Sequence, residues 1–238
     1  MKRLIYDIEV SPNIVFCWQP GYNLTIDYTN IIKERAVICV SYKWEGEKKI
    51  QHLIWDKHQS DKYLIKEFVK ILKEADEIVA HNGDQFDLKW IRGRAIKYGI
   101  SMPPDITSID TLKIARTKFK FNSNRLDYLA KYLGVGEKVD TGGFGLWRDV
   151  VLNKSQSALK KMVKYCDNDV LILEKVYQKL KPYVPARLSI SENRAKCSEC
   201  GSKMQVAKHR ILASGAKQTQ LQCTKCGRYK TIPTSKLC

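Results

Sequence analysis

Read from the N-terminus, apolar and polar positions first alternate and then settle into a helical period. The runs RLIYDIEV, NIVFCWQ, AVICVSYKW and KKIQHLIW read as four successive strands, with EGE as the turn before the last. In DKYLIKEFVKILKEA the apolar residues recur three and four apart, which predicts a helix, and DEIVAHN follows as a short buried strand. FDLKWIRGRAIKYGI is helical again until MPP breaks it. ITSIDTLKIARTKF, SNRLDYLAKYLGV and SALKKMVKYCDNDVLILEKVYQKL supply further helical segments. KPYVPARLSISENRAK has two prolines and no clear period, and reads as a linker. Strands in mixed order followed by helices predict an α/β fold with one central sheet flanked by helices.

Two residues break the apolar pattern of the first strand. Asp7 and Glu9 lie two apart, so they project from the same face of the strand. Burying adjacent carboxylates is costly unless something compensates them. Either the strand is an edge with both groups in water, or a divalent cation holds them, and hard oxygen ligands suit Mg²⁺ or Mn²⁺. A metal reading needs further carboxylates from elsewhere. Asp87 stands at the start of a predicted helix, where an acid alone is commonly a first-turn charge. Tyr165 and Asp169, spaced i, i+4, share one face of the last long helix, where such a pair is often a surface contact.

Taken together, DIE, HNGDQFD and YCDND resemble the three motifs of the DEDD 3′–5′ exonuclease superfamily, in order and in spacing. IDTLKIAR and RLDYLAKYLGV, between the second and third motifs, are similar to that family too, and the resemblance spans roughly residues 1 to 183. The histidine branch has His five residues before the last Asp, where this chain has Lys164; Tyr165, four before it, matches the tyrosine branch. The resemblance implies a ribonuclease H-like fold and hydrolysis of phosphodiesters by two metal ions ~4 Å apart. It implies that Asp7, Glu9 and Asp169 bind the ion that activates water, that Asp7 bridges to the second ion, and that Asp87 supports that ion. It gives Tyr165 the task of orienting the attacking water, since a phenol with a pKa near 10 is a poor base. Asn82 and Phe86 match positions that the family uses around the terminal nucleotides; for Phe86, core packing is the other reading. His81 is either a ligand or a structural histidine at a strand end, and its position favours the second. Val10 stands where the family often has Thr, which bears on contacts to the 3′-terminal nucleotide. The Gly-rich DTGGFGLW is either a substrate loop or a connection, and Lys113, Arg116, Lys118 and Lys120 either track a backbone or form a solvated face.

The composition adds a second module. The 238 residues allow one substantial domain and a small one beside it. CSECG and CTKCG place Cys197, Cys200, Cys223 and Cys226 in a C-x₂-C-x₂₂-C-x₂-C pattern, the donor set of a structural Zn²⁺ site with no open position, and the segment resembles a zinc ribbon. Domains are therefore expected at 1–185 for the exonuclease and 186–238 for the ribbon, the latter drawing much of its stability from metal. The formal charge is +17, and Ala186 onward holds eleven Lys/Arg against two Asp/Glu. That excess favours a polyanionic partner. Lys203, Lys208, Arg210, Lys217, Lys225, Arg228 and Lys230 make the ribbon basic, for gripping nucleic acid or a partner protein, or as a structural appendage. No apolar stretch approaches the ~20 residues of a membrane span. The acidic residues at 7 and 9 interrupt any signal core, so an intracellular location is expected.

The expectation is a stand-alone 3′–5′ exonuclease acting on 3′ ends of single-stranded DNA, with two Mg²⁺ or Mn²⁺ and one Zn²⁺. A chain of this length is expected to carry no polymerase domain, though a replication or repair protein is a candidate partner. An RNA 3′-end trimming enzyme would use the same residues. A structure-specific endonuclease has no call for Tyr165, and an idle binding module has none for all four carboxylates.

Overall fold

The computed structural model describes residues 2–21, 23–137, 142–184, 196–197 and 199–234. Strand β1 (Arg3–Val10) leads into a small hairpin, β2 (Ile14–Val15) and β3 (Ile31–Lys33), and then into β4 (Val37–Trp44) and β5 (Gln51–Ile54). Next come α1 (Lys62–Glu74), β6 (Glu77–Ala80), α2 (Asp87–Lys97), β7 (Ser108–Asp110), α3 (Thr111–Lys118), α4 (Leu126–Tyr132), α5 (Gly145–Val151) and the long α6 (Gln156–Leu180). The main sheet has the order β5-β4-β1-β6-β7; β1, β4 and β5 pair antiparallel, while β6 and β7 run parallel to β1.

The middle strand, β1, is covered on both faces, which explains its apolar run. Leu4, Tyr6 and Ile8 pack against Leu64, Phe68 and Leu72 of α1 and Leu88 and Ile91 of α2. Ile5 faces the other way, with Val79, Ile109, Leu129 of α4 and Val176 of α6. Strand alternation puts Asp7 and Glu9 on that second face, beneath α6. Phe68 is fully buried with its ring 5.4 Å from that of Tyr6 and 6.0 Å from that of Tyr42, so truncating it to alanine would cost ~3–5 kcal/mol.

Two segments depart from the sequence pattern. NIVFCWQ does not join the main sheet: only Ile14–Val15 is strand, paired with β3, and Phe16 and Trp18 are exposed. Alternation without a core to meet does not make a core strand. ITSIDTLKIARTKF is not helical throughout. Its Ser108–Asp110 pairs with β6, and Asp110 then caps α3 by accepting from the Leu112 and Lys113 N–H groups. A three-residue strand is too short to display a period.

The C-terminal segment forms an antiparallel sheet of β8 (Met204–Ile211), β9 (Lys217–Cys223) and β10 (Tyr229–Pro233), in the order β10-β9-β8. Its small core joins Met204 and Leu221 to Cys197 and Cys223. Residues 185–195, which hold the expected domain boundary and most of the expected linker, lie outside the described residues. The small sheet meets the large one at the first residue of β1. The Arg3 guanidinium bonds Glu45, Glu77 and Glu199 and lies over the Tyr177 ring. Lys181 bonds Glu45 at 2.7 Å and Glu199 at 2.9 Å, and Arg228 bonds Glu199 as well. Three cations and three carboxylates thus compensate one another where water is largely excluded.

Candidate active site and cysteine centre

The far end of β1 gathers the acidic residues. One carboxylate oxygen each from Asp7 and Glu9 and the Sγ of Cys166 lie within 4.8 Å of one another. The Cys166 thiol approaches the Asp7 carbonyl at 3.4 Å and Asp7 Oδ2 at 3.6 Å, which fixes α6 against β1 at this point. Asp169, three residues further along α6, is buried. Asp87 is the first residue of α2 and is also buried. Burial pushes its carboxyl well above the usual range and the charge of Asp7 adds to this, partly offset by hydrogen bonds from its own N–H and that of Ile8. Carboxylates crowded in this way repel one another, and a divalent cation with hard oxygen donors would relieve them. The donor set fits such an ion.

The loop that delivers Asp87 is organised by Asp110. Besides capping α3, Asp110 accepts from the backbone N–H of Asn82 at 2.9 Å and of Asp84 at 3.3 Å. This holds Asn82 in the left-handed region, at φ 69°, where a short polar side chain is tolerated. His81 is structural, as its position predicted: Nδ1 meets Thr111 Oγ1 at 2.9 Å and Nε2 meets the Asn124 carbonyl at 3.0 Å, so both ring nitrogens are engaged. Asp110 and Cys166 escaped the sequence reading. The signal for Asp110 was an acid just before a helical run, and that for Cys166 its place between Tyr165 and Asp169.

A groove of about 410 Å³ opens beside the acids, lined by Val10, Pro12, Arg35, Phe86, Phe144 and Trp147. Val10 follows Glu9, Phe86 precedes Asp87, and the Trp147 ring stands edge-on to Tyr165 at 6.5 Å. Phe86 is 40% exposed, and its ring stands edge-on to that of Trp90 at 6.3 Å, so it both packs on α2 and faces the groove. From DTGGFGLW, residues 140 and 141 lie outside the described residues, while Gly143, Phe144 and Trp147 line the groove. Lys113, Arg116, Lys118 and Lys120 are all exposed.

In the small sheet, the four cysteine sulfurs lie within 4.8 Å of one another, with Cys197–Cys226 at 3.6 Å and Cys200–Cys223 at 3.5 Å. Tetrahedral Zn–S bonds of ~2.3 Å would place sulfurs ~3.8 Å apart, so the cluster is compatible with a zinc ribbon. Backbone N–H groups of Glu199, Lys225 and Cys226 point at Cys197 and Cys223 Sγ from 3.4 Å, which favours thiolates. Ser202 holds the Cys200 thiol down to about 6, whereas burial pushes Cys226 up to about 12. Each knuckle turns on a left-handed glycine, Gly201 at φ 70° and Gly227 at φ 72°.

A family model described as RNase_H superfamily matches residues 31–181, more than half of the sequence. The chain belongs to the RNase_H superfamily. The matched span contains Asp87, Tyr165 and Asp169, and β1 precedes it. A DNA polymerase of Pyrococcus glycovorans is 35% identical over 77 residues, 28% of this chain and 10% of that protein. A DNA polymerase of Thermococcus hydrothermalis is 32% identical over 74 residues, 27% of this chain and 4% of that protein. The chain thus spans a tenth or less of the length of these relatives. Among solved structures, the family B DNA polymerase from the hyperthermophilic archaeon Pyrobaculum calidifontis superposes with a TM-score of 0.59 over 76% of this chain and 24% of that one, at 19% identity. That likeness is one of fold. The mixed sheet with helices on both faces is the RNase H-like architecture that the motifs implied.

Proposed function

We propose that this chain is a stand-alone, metal-dependent 3′–5′ exonuclease of the tyrosine DEDD type, acting on single-stranded DNA 3′ ends. In this reading residues 1–185 form the nuclease and 186–238 a zinc ribbon. The observation that carries it is the meeting of Asp7 and Glu9 with the Cys166 turn of α6, with Asp87 bonded to the N–H of Ile8 next to Asp7, beside an aromatic groove. Bound Mg²⁺ or Mn²⁺ would acidify a water and neutralise charge on the phosphate and leaving oxygen. Asp7, Glu9 and Asp169 would hold one ion; Asp7 would reach the second, with Asp87 in support. Tyr165, standing against Trp147, would orient the attacking water through its hydroxyl. Phe86 and Trp147 line the groove, where unstacked terminal bases would rest on their rings, and Arg35, over the Trp90 ring, adds a cation to the same groove for a phosphate. The expected setting is intracellular, beside a replication or repair protein.

The test uses 5′-labelled single-stranded DNA and RNA of one sequence, with Mg²⁺, Mn²⁺ or chelator. A metal-dependent ladder shortening from the 3′ end, absent in Asp7→Ala and slowed less in Tyr165→Phe, supports the proposal. A faster RNA ladder moves the substrate to RNA 3′ ends. Full activity in Asp7→Ala refutes the site, and metal-independent silence on both strands leaves a binding module.

A further inference from the structure

The small sheet has two faces of different character. Strand register puts Met204, Val206, His209 and Ile211 on one side with Lys217, Thr219, Leu221 and Cys223, and Lys230 and Ile232 of β10 continue it; this apolar side, that of the cysteine core, carries its two lysines singly at opposite ends. The opposite side carries Lys208 and Arg210 on β8, beside Gln220 and Gln218 on β9; Gln222 and Tyr229 continue it towards β10. Lys208 and Arg210 are exposed, and the three glutamines and Tyr229 are partly so.

No aspartate or glutamate follows Glu199 in the sequence. Glu199 itself is turned into the docking site, where it bonds Arg3, Lys181 and Arg228. Docking therefore consumes the one carboxylate that the described ribbon has, together with the charge of Arg228. What remains outward is a sheet face of cations, amides and one aromatic ring, with no acid to repel a phosphate. Cations of this kind bind by releasing counterions, amides hydrogen-bond base edges and sugars, and a tyrosine ring stacks on bases regardless of sequence.

We propose that this outer face, centred on Lys208 and Arg210, is a binding surface for single-stranded nucleic acid, separate from the groove at the carboxylates. It rests on the nucleic-acid reading above and adds to it a second foothold, held in fixed relation to the first by the Arg3–Glu199 cluster.

The test measures binding, so it does not depend on cleavage. Asp7→Ala protein in Mg²⁺-free buffer without chelator, with its zinc content verified, is titrated with labelled single-stranded DNA over a range of KCl. Lys208→Gln/Arg210→Gln is compared with the charge-matched pair Lys48→Gln/Lys49→Gln, also exposed but on the nuclease. Loss of two phosphate contacts should lower the slope of log K against log salt by about 1.4 in the ribbon variant, at ~0.7 per contact, and leave it unchanged in the control. An unchanged slope in the ribbon variant overturns the proposal and points the face to a protein instead. An equal fall in both variants overturns it too, since the effect would then be one of overall charge.

Discussion

Replacing Asp61 by asparagine removes one negative charge from a place that water does not reach. The Asp61 carboxylate is fully buried and accepts from Arg94 Nε at 2.7 Å, Arg94 Nη2 at 2.6 Å, the Tyr98 hydroxyl at 2.6 Å and the Val37 N–H at 2.9 Å. These bonds tie the start of β4 and the start of α1 to α2, two turns beyond Asp87. Asparagine has the same size, so the cost is electrostatic. Removing one partner of a buried pair costs ~3–5 kcal/mol. Arg94 keeps the Arg35 carbonyl at 3.1 Å and the Tyr98 hydroxyl, which puts the loss at the low end, ~3 kcal/mol. With a urea m-value of ~2–3 kcal/mol/M, the midpoint should fall by ~1–1.5 M at unchanged slope. Adding Arg94→Met removes the stranded cation, so the double variant should be more stable than Asp61→Asn alone. A midpoint shift below ~0.3 M, or strictly additive losses in the double variant, would refute the reasoning.

Three further outcomes follow from the geometry. Asp87 holds its proton to higher pH in the metal-free fold than in the unfolded chain, so its contribution to stability falls as pH rises above the ordinary carboxylate range. Asp87→Asn should flatten that slope in thermal melts without metal, and should lessen the stabilisation that Mg²⁺ adds, since Asp7, Glu9 and Asp169 still hold the first ion; an unchanged pH profile would count against the crowding at Asp7. Asp110→Ala strips the acceptor from four backbone N–H groups, and should lower melting stability by ~1–2 kcal/mol while cutting cleavage at least ~tenfold, with Asp110→Asn restoring part of both. Glu199→Gln takes its carboxylate from Arg228 while Arg3 and Lys181 keep Glu45, which puts the cost at the low end for a buried pair, ~3 kcal/mol by denaturant titration with zinc content retained; a silent substitution would mean that the two sheets do not depend on this contact.

What the sequence made legible was whatever repeats at short range. Asp7 and Glu9 share a face because strands have a period of two, and Tyr165 and Asp169 share a helix because helices return after four. The two Cys-x-x-Cys-Gly knuckles are local as well, and their sulfurs meet as the spacing predicted. The misreadings came where the deciding partner is distant or the element short. NIVFCWQ has the alternation of a core strand but finds its partner in β3, outside the main sheet. Asp110 read as part of a helix, although its carboxylate organises a loop 26 to 28 residues earlier. Glu199 read as an ordinary residue between two cysteines, because nothing local announces Arg3, 196 positions away.

Arg3 and Asp7 belong to one strand, four residues or ~13 Å apart, so the docking cluster and the candidate active site share a backbone. The dependence between them is not symmetrical. Arg3 keeps Glu45 and Glu77, both from the main sheet's own strands and turns, even where Glu199 is removed. The nuclease end of the cluster is therefore satisfied largely from within. Glu199, by contrast, is placed by the ribbon, where its N–H bonds Cys197 Sγ at 3.4 Å, and the ribbon's small core adds to the cysteines only Met204 and Leu221 among the described residues that are buried there. A core of that size does not fold a ribbon unaided. The charges that hold the two sheets together therefore depend on the ribbon's own packing, while β1 and its carboxylates draw on the core of the main sheet.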